Sequence, residues 1–252
     1  MPAWILPSAD LALTATDLHV WRASLDATEA SVRHLCDTLS VDERTRADRF
    51  HFDRDRRRFI IARAALRSII GRYLNLEPDD LVFDYGVRGK PALSPSMNSA
   101  QLHFNLAHSH ELAVYAFTRH QRVGIDVEYT LRVVSDTDQL VKRFFSANEQ
   151  AVYCALPAGE RRMAFFRCWT RKEAFIKAIG DGLSQPLDRF DVALAPEQSP
   201  GVLSIDGSTL AAQHWSLVPL EPSANYIGAV AIEGKNWQIS SWTWENGPPV
   251  VS

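Results

Sequence analysis

The stretch CWTRKEAFIKAIGDGL, residues 168–183, constrains the fold of this chain more than any other. Within it and just before it, apolar residues recur at the spacing of one face of an α-helix: Phe165, Cys168, Phe175, Ile176 and Ile179. Gly180 and Gly182 follow, where a left-handed C-terminal turn needs residues without a Cβ. The pattern predicts a helix with one buried face that ends near residue 180.

Glu173 and Lys177 lie four residues apart on the flank of that buried face. In such a pair the carboxylate could reach a cation while the ammonium group reaches an anion, and a metal-bound phosphate would satisfy both. The alternative is an exposed helix pair that contributes only a few tenths of a kcal/mol. The choice between the two depends on whether further carboxylates lie nearby.

Composition limits the class of protein. The chain has 252 residues, of which 46% are apolar, enough to bury a core in one large domain or two small ones. The net charge is −3, yet residues 41–67 hold nine arginines against five acids, which indicates a local anion site. The widely spaced Cys36, Cys154 and Cys168 are typical of reduced thiols. Since no signal peptide, membrane span or nucleic-acid-binding stripe is recognisable, we expect a cytoplasmic protein with neither membrane nor nucleic acid as partner.

Hydrophobic periodicity predicts the same order of elements twice: strand, helices, strands. In the first half the predicted elements are a strand over 19–25, helices over 28–39, from 40 and over 56–74, and strands over 81–85, 102–106 and 112–117. In the second half they are a strand over 123–128, helices over 135–144, 147–156 and up to 180, and strands over 190–195, 202–205, 215–220, 226–232 and 238–244. We therefore expect an α+β fold of two subdomains of similar plan, residues 1–119 and 120–252, with the site in the cleft between them.

The segment VGIDVE, residues 123–128, predicts a strand with two carboxylates on one face. Its apolar residues alternate, so Asp126 and Glu128 must both face the other side. Two carboxylates at that separation repel each other unless a proton or a cation lies between them, and hard oxygen ligands suit Mg²⁺. The alternative is a strand with a solvated face. Gly124 would let another backbone or a ligand approach.

Two turns contribute further polar groups. The segment His103 to His110 predicts a strand and a turn with histidines and a serine, which could donate to phosphate, bind a transition metal or form an exposed loop. The turn Arg88-Gly89-Lys90-Pro91 presents two cations around an unencumbered glycine. Together with Arg58 and Arg63 on the long helix, it offers the fixed positive charge that holds a nucleotide phosphate.

In their order along the chain, these motifs resemble the 4'-phosphopantetheinyl transferases of the Sfp type. That family has a Phe-Asn-hydrophobic-Ser-His turn, a Gly-Ile-Asp-hydrophobic-Glu strand, an Arg-Phe-Phe-Ser segment and a Trp-x-x-Lys-Glu-Ala-x-x-Lys helix ending in Gly-x-Gly-Leu. The counterparts here are residues 104–108, 124–128, 143–146 and 169–183, and with the Gly89-Lys90-Pro91 turn the resemblance spans about residues 54–195. One position departs from the pattern: Ala107 stands where the family commonly has Ser, and Ser109 or backbone N–H groups could compensate.

The resemblance implies a pseudo-twofold pair of α+β subdomains with coenzyme A and Mg²⁺ bound between them. It implies that Asp126, Glu128 and Glu173 are the metal ligands. The residues that would bind coenzyme A are Arg58, Arg63, Arg88, Gly89, Lys90, Pro91, His108, Lys172 and Lys177. Of these, Lys177, Lys172 and His108 would hold the pyrophosphate. Arg58, Arg63 and Lys90 would hold the 3'-phosphate and adenine end.

The implied reaction is attack by a serine hydroxyl of an apo acyl or peptidyl carrier protein on the β-phosphate of coenzyme A, which releases 3',5'-adenosine bisphosphate. Glu173, Lys177 and His108 would be the catalytic residues, with Lys177 and His108 stabilising charge on the leaving group. The base would be Glu173 or a water on the metal. Glu149 is another candidate base, but Ser146 and Glu149 also form a helix capping box, which explains Glu149 without catalysis.

Two rival functions stay open. Three carboxylates and a lysine would also suit a metal-dependent phosphoesterase or nuclease, in which water attacks a phosphodiester. The same cleft could belong to a non-catalytic module that binds carrier proteins or nucleotides. We expect the protein to act as a monomer.

Overall fold

The predicted helices and strands are present in the predicted order, and the structure adds a short strand at Pro91–Leu93 and a short helix at Thr209–Ala212. The structure, a computed structural model, describes residues 2–8, 11–86, 89–180 and 186–245. Its helices are α1 (Glu29–Asp37), α2 (Val41–Ala47), α3 (Asp53–Leu74), α4 (Thr137–Phe144), α5 (Ala147–Ala155), α6 (Ala158–Ile179) and α7 (Thr209–Ala212). Its strands are β1 (Asp17–Ser24), β2 (Phe83–Tyr85), β3 (Pro91–Leu93), β4 (Leu102–Ser109), β5 (Leu112–Arg119), β6 (Val123–Tyr129), β7 (Phe190–Val192), β8 (Val202–Ile205), β9 (Trp215–Leu220), β10 (Tyr226–Glu233) and β11 (Gln238–Trp244). The expected α+β fold is confirmed.

Two sheets pack face to face, and each has a long helix on its outer face. The first sheet has the order β11-β1-β5-β4 and is covered by α3, and the second has the order β6-β10-β9 and is covered by α6. A third apolar cluster fills the layer between the sheets. We call the first sheet with α1–α3 and the β2–β3 hairpin the first lobe, and the second sheet with α4–α7 and the β7–β8 hairpin the second lobe. The expected pair of similar subdomains is therefore confirmed. In the described ranges, no helix combines the length and the apolar character needed to cross a membrane.

Strand alternation decides which residues face the helices. On β6, the side chains of Val123, Ile125 and Val127 enter the layer between the sheets. Because side chains alternate along a strand, Asp126 and Glu128 face α6 instead. The shared face that the sequence predicts for the two carboxylates is thus the face that meets the long helix of the second lobe.

The last strand lies in the first sheet. Strand β11 pairs in parallel with β1, with Asp17 opposite Gln238 and Ala23 opposite Trp244. Residues 120–252 therefore contribute a strand to the first lobe, and a boundary near residue 120 does not separate the two sheets. Whether 1–119 and 120–252 are separate folding units stays a prediction.

A buried ion pair fastens the helices of the first lobe. Glu43, the third residue of α2, accepts from the backbone N–H of Ser40 and pairs with Arg67 of α3, whose Nε lies 2.6 Å from the Glu43 carboxylate. The Arg67 guanidinium also donates to the carbonyl oxygens of Pro78 and Leu81, at 2.8 and 2.9 Å. One side chain thus ties the helix pair to the segment that follows α3.

The second lobe repeats this arrangement. Glu149, the third residue of α5, pairs with Lys172 of α6 at 2.7 Å. The Lys172 ammonium donates to the carbonyl oxygens of Leu187 and Phe190, at 2.6 and 2.7 Å, in the segment that follows α6. The two lobes therefore share an internal support of the same design, which agrees with a pseudo-twofold relation between them.

Helix α6 crosses β6 at backbone contact distance. A Cβ built on Gly124 would lie 2.1 Å from the carbonyl oxygen of Ala174 and 2.3 Å from the backbone nitrogen of Ala178. Both atoms belong to a helix backbone and cannot rotate away. The glycine is therefore required for the helix to lie this close to the strand. The helix ends as predicted at Gly180, whose φ is 82°, while Gly182 lies outside the described residues.

Gly124→Ala should destabilise the protein by about 2–4 kcal/mol, because the new methyl group meets backbone atoms on both sides. Urea unfolding followed by circular dichroism measures the change. The matched control is Gly159→Ala in the first turn of the same helix, where an added Cβ meets nothing within 4 Å. That variant should be unchanged or up to about 1 kcal/mol more stable. Equal stability of the two variants would contradict the close crossing.

Candidate active site

A cleft of about 770 Å³ opens between the long helix of the first lobe and the end of α6. Eight of the residues predicted for the site line it: Arg58, Arg63, Gly89, Lys90, Pro91, His108, Glu173 and Lys177. Asn105 and Ser109 of β4 and His110 of the β4–β5 connection line the same cleft. Arg88, also predicted for this site, lies outside the described residues. One cleft thus brings together cations from both lobes and a carboxylate of α6.

Of the three predicted metal ligands only Glu173 lines the cleft; Asp126 and Glu128 lie behind its surface, where Asp126 pairs with Lys177. The Lys177 ammonium lies 2.7 Å from Oδ1 of Asp126 and also donates to the carbonyl oxygen of Ile125 at 3.3 Å. Oδ2 of Asp126 is buried and has no hydrogen-bond partner among the described residues. Burial raises the pKa of Asp126 to about 6 against the opposing effect of Lys177, and the charges of Glu128 and Glu173 raise it further. The carboxylate therefore has an unused oxygen and excess negative charge beside it.

The other two predicted metal ligands differ in their surroundings. Glu128 accepts from the Ser109 hydroxyl at 3.0 Å and pairs with Arg132 at 2.9 Å. Glu173 accepts no hydrogen bond from the described part of the chain, and burial raises its pKa, with Lys177 opposing and Glu128 adding to the shift. Carboxylates that lie near one another in a partly buried place repel each other, and a bound hard divalent cation relieves that repulsion. Nevertheless, over the described ranges no three His, Cys, Asp or Glu side chains converge closely enough to hold a metal ion.

The cationic wall is only partly neutralised. Arg63 lies 3.3 Å from the Glu43 carboxylate through Nε, but its Nη1 is buried without a hydrogen-bond partner in the described residues. Lys90 donates to the carbonyl oxygen of Lys177 at 2.7 Å, which links the turn of the first lobe to the last turn of α6. Burial lowers the pKa of Lys90, and the Lys177 charge lowers it further. A bound anion would reduce the repulsion between these groups.

The surroundings of His108 favour the neutral form of its imidazole. Enclosure by the walls of the cleft lowers its pKa, and the charges of Lys177 and Arg58 lower it further. Arg58 itself lies 3.3 Å from the carboxylate of Glu111. A neutral imidazole can still donate one hydrogen bond to a phosphate oxygen.

Sequence reasoning named Ser109 only as a possible phosphate donor and did not predict that Asn105 and Ser109 join the lobes. Oδ1 of Asn105 accepts from the backbone N–H of Ile125 at 2.9 Å, and Oγ of Ser109 accepts from that of Tyr129 at 3.0 Å. Both side chains come from β4 and both donors from β6, so side chains bridge the two sheets where they meet. For Asn105 the signal was a buried polar residue within an apolar strand segment, which requires a partner. Ser109 is thus engaged by protein groups, and Ala107 is buried in the layer between the sheets.

The prediction that Lys172 binds the pyrophosphate is wrong. Its side chain is 1% exposed, and its ammonium is taken by Glu149 and the two carbonyl groups described above. Glu149 is equally occupied: its carboxylate accepts from the backbone N–H groups of Ser146 and Val192 at 2.8 and 2.7 Å. The capping-box explanation of Glu149 is therefore confirmed, and neither residue lines the cleft.

Comparison with known proteins agrees with this geometry. Residues 21–120 match the family model described as 4'-phosphopantetheinyl transferase, N-terminal, and residues 122–231 match that of the 4'-phosphopantetheinyl transferase superfamily. The chain is 42% identical to the 4'-phosphopantetheinyl transferase HetI of Nostoc sp. over 95% of its own length and 97% of that protein. The chain belongs to the 4'-phosphopantetheinyl transferase family.

Two further relatives show how widely the family is spread. The 4'-phosphopantetheinyl transferase Sfp of Bacillus subtilis is 36% identical over 62% of this chain and 66% of its own. The L-aminoadipate-semialdehyde dehydrogenase-phosphopantetheinyl transferase of Homo sapiens is 28% identical over 63% of this chain and 54% of its own. The family resemblance expected from the motifs is thus confirmed.

Lys172→Met should destabilise the protein by about 3–5 kcal/mol, because it leaves the buried Glu149 carboxylate without its cation. Adding Glu149→Gln should recover about 1–2 kcal/mol of that loss. For enzyme that stays folded, the KM for coenzyme A should change by less than about twofold, since Lys172 does not reach the cleft. Lys142→Met, at an exposed lysine of the same lobe, controls for loss of charge. A stable Lys172→Met enzyme with a strongly raised KM would contradict this assignment.

Proposed function

We propose that this protein transfers the 4'-phosphopantetheine arm of coenzyme A to a serine of an apo acyl or peptidyl carrier protein. The observation that supports it most directly is that Lys177, which lines a cleft whose opposite wall is cationic, pairs with the buried Asp126 directly behind the cleft surface. An acidic cluster beside a lysine suits a metal-bound diphosphate, and the opposite wall suits a further phosphate. Family membership favours coenzyme A as the molecule that has both.

We propose that Asp126, Glu128 and Glu173 would hold Mg²⁺, with their side chains drawn closer together than they lie in this structure. The unused Oδ2 of Asp126 and the raised pKa values of Asp126 and Glu173 support this set. When bound, the ion would neutralise charge on the diphosphate. Lys177 would contribute a further positive charge there, in a position fixed by its contacts with Asp126 and Ile125.

The remaining residues divide between the two ends of the substrate. Lys177 and His108 would contact the pyrophosphate, and Arg58, Arg63 and Lys90 would contact the 3'-phosphate and adenine end. The buried and unpaired Nη1 of Arg63 supports an anion at that end. The Gly89–Pro91 turn lines the same wall.

In the proposed reaction the serine oxygen forms a bond to the β-phosphorus as the phosphoanhydride bond breaks. The electron pair leaves with 3',5'-adenosine bisphosphate, where Lys177 and His108 would stabilise the new charge. Glu173 would accept the serine proton. It lines the cleft and accepts no hydrogen bond from the described residues.

We also propose that the protein acts in the cytoplasm as a monomer. The three cysteines support a reducing compartment, because Cys36, Cys154 and Cys168 are all free thiols.

Incubation with coenzyme A, Mg²⁺ and a panel of apo carrier proteins, followed by intact-protein mass spectrometry, tests the function. At least one carrier should gain the mass of one phosphopantetheine group, and EDTA should prevent it. Asp126→Asn should lower the transfer rate at least about 100-fold, because it removes a charge at the diphosphate. Asp138→Asn, at an exposed aspartate of α4, should leave the rate unchanged.

Two other results of this incubation would indicate a different function. Hydrolysis of coenzyme A without a carrier would indicate a phosphoesterase, and carrier binding without transfer would indicate a non-catalytic module. A fully active Asp126→Asn enzyme would contradict the metal assignment even if transfer itself is observed.

Lys90→Ala should raise the KM for coenzyme A roughly tenfold and lower kcat much less, since the lysine is expected to contact the nucleotide end and not the reacting phosphate. Steady-state kinetics with coenzyme A as the varied substrate measures both constants. Lys142→Ala removes an exposed lysine of α4 and serves as the control. An unchanged KM would exclude the Gly89–Pro91 turn from the site.

A further inference from the structure

Both oxygens of the Glu128 carboxylate have partners from outside strand β6. The Ser109 hydroxyl donates to Oε2 at 3.0 Å, and Nη2 of Arg132 lies 2.9 Å from Oε1. Ser109 ends strand β4 of the first lobe, whereas Arg132 follows β6 in the second lobe. A predicted metal ligand is thus held by one neutral donor and one cation.

The direction of the Ser109 hydroxyl proton is determined by its second bond. The same oxygen accepts from the backbone N–H of Tyr129 at 3.0 Å. A hydroxyl has a single proton to donate, and with that N–H occupying a lone pair the proton is directed at Glu128. Both strands involved are buried parts of the lobe contact, so this bond is a fixed feature of the carboxylate's surroundings.

Arg132 is held differently. Its carbonyl oxygen accepts from Nη2 of Arg162 at 2.9 Å, which anchors the backbone. Its guanidinium lies over the ring of Phe166, 5.6 Å from the centroid, and its side chain is 38% exposed. Glu128 is 16% exposed, so the Arg132 guanidinium is the partner that reaches solvent, and it can leave the carboxylate when another cation takes its place while the backbone stays where it is.

We propose that Ser109 and Arg132 are positioning residues for Glu128. Ser109 fixes one carboxylate oxygen in every state, and Arg132 neutralises the other until a divalent cation replaces it. This inference rests on the proposed function, because it takes Glu128 as a ligand of the metal. It gives the two residues opposite effects: loss of Ser109 should weaken metal binding, and loss of Arg132 should strengthen it.

Binding of Mn²⁺, measured by the loss of the electron paramagnetic resonance signal of the free ion with coenzyme A present, tests this without any turnover. Ser109→Ala should weaken Mn²⁺ binding about tenfold, and Ser109→Thr, which keeps the hydroxyl, should restore it to within about twofold. Arg132→Gln should tighten binding about threefold by removing the competing cation. Arg143→Gln, at an exposed arginine of α4 whose guanidinium lies over Phe144, controls for the loss of one positive charge in the same lobe.

The outcomes separate this inference from the proposed function. If the wild-type protein binds Mn²⁺ and Asp126→Asn abolishes binding, but Ser109→Ala and Arg132→Gln both match the wild type, this inference is wrong and the metal site stands. Weaker binding in Arg132→Gln would overturn the competing role of Arg132. If the wild-type protein binds no Mn²⁺, the metal site fails and this inference with it. Thermal unfolding checks that each variant is folded, and if Ser109→Ala is not, the opposite shift expected for Arg132→Gln decides.

Discussion

The backbone contact between α6 and β6 at Gly124 arranges the whole candidate site. The helix atoms closest to the glycine belong to Ala174 and Ala178. Glu173 and Lys177 each precede one of these contact residues, so they project from the edge of the contact. Asp126, two residues along the strand, lies on the same face and meets Lys177 at 2.7 Å. Any side chain at position 124 would lift the helix and separate the two elements that supply the acidic groups and the lysine.

The two lobes use one architecture for different purposes. In each lobe a capping glutamate pairs with a buried cation of the long helix: Glu43 with Arg67, and Glu149 with Lys172. The strand faces that meet those helices differ, however. The face of β1 toward α3 presents the fully buried Trp21, whereas the face of β6 toward α6 presents Asp126. Burial of an aromatic ring stabilises the folded state, whereas burial of a carboxylate destabilises it. The second lobe is therefore less stable at the position where the proposed chemistry needs a charge.

Much of the fold and part of the candidate site could be predicted from the sequence, because the spacing of apolar residues along a helix or strand shows which face is buried. The order of elements, the carboxylate pair on β6 and the helix end at Gly180 all follow from local pattern. Lys172 was misassigned by motif alone, although its spacing shows the problem: it lies four residues from both Cys168 and Ile176 and therefore on the buried face of α6. The place of β11 and the bond from Asn105 to Ile125 depend on contacts between distant segments, which periodicity does not report.

The parallel pairing of β1 with β11 has a consequence for how the protein is made. These partners are more than 200 residues apart in the chain, so the first sheet lacks an edge strand until residue 244 has been synthesised. During translation the edge of β1 that β11 later covers is open to pairing with other chains, which is the general aggregation hazard of an exposed strand edge. Once β11 pairs with β1, the polypeptide has crossed from the first lobe to the second and back again. Because the first sheet is complete only with this returning strand, both lobes should unfold in a single cooperative transition.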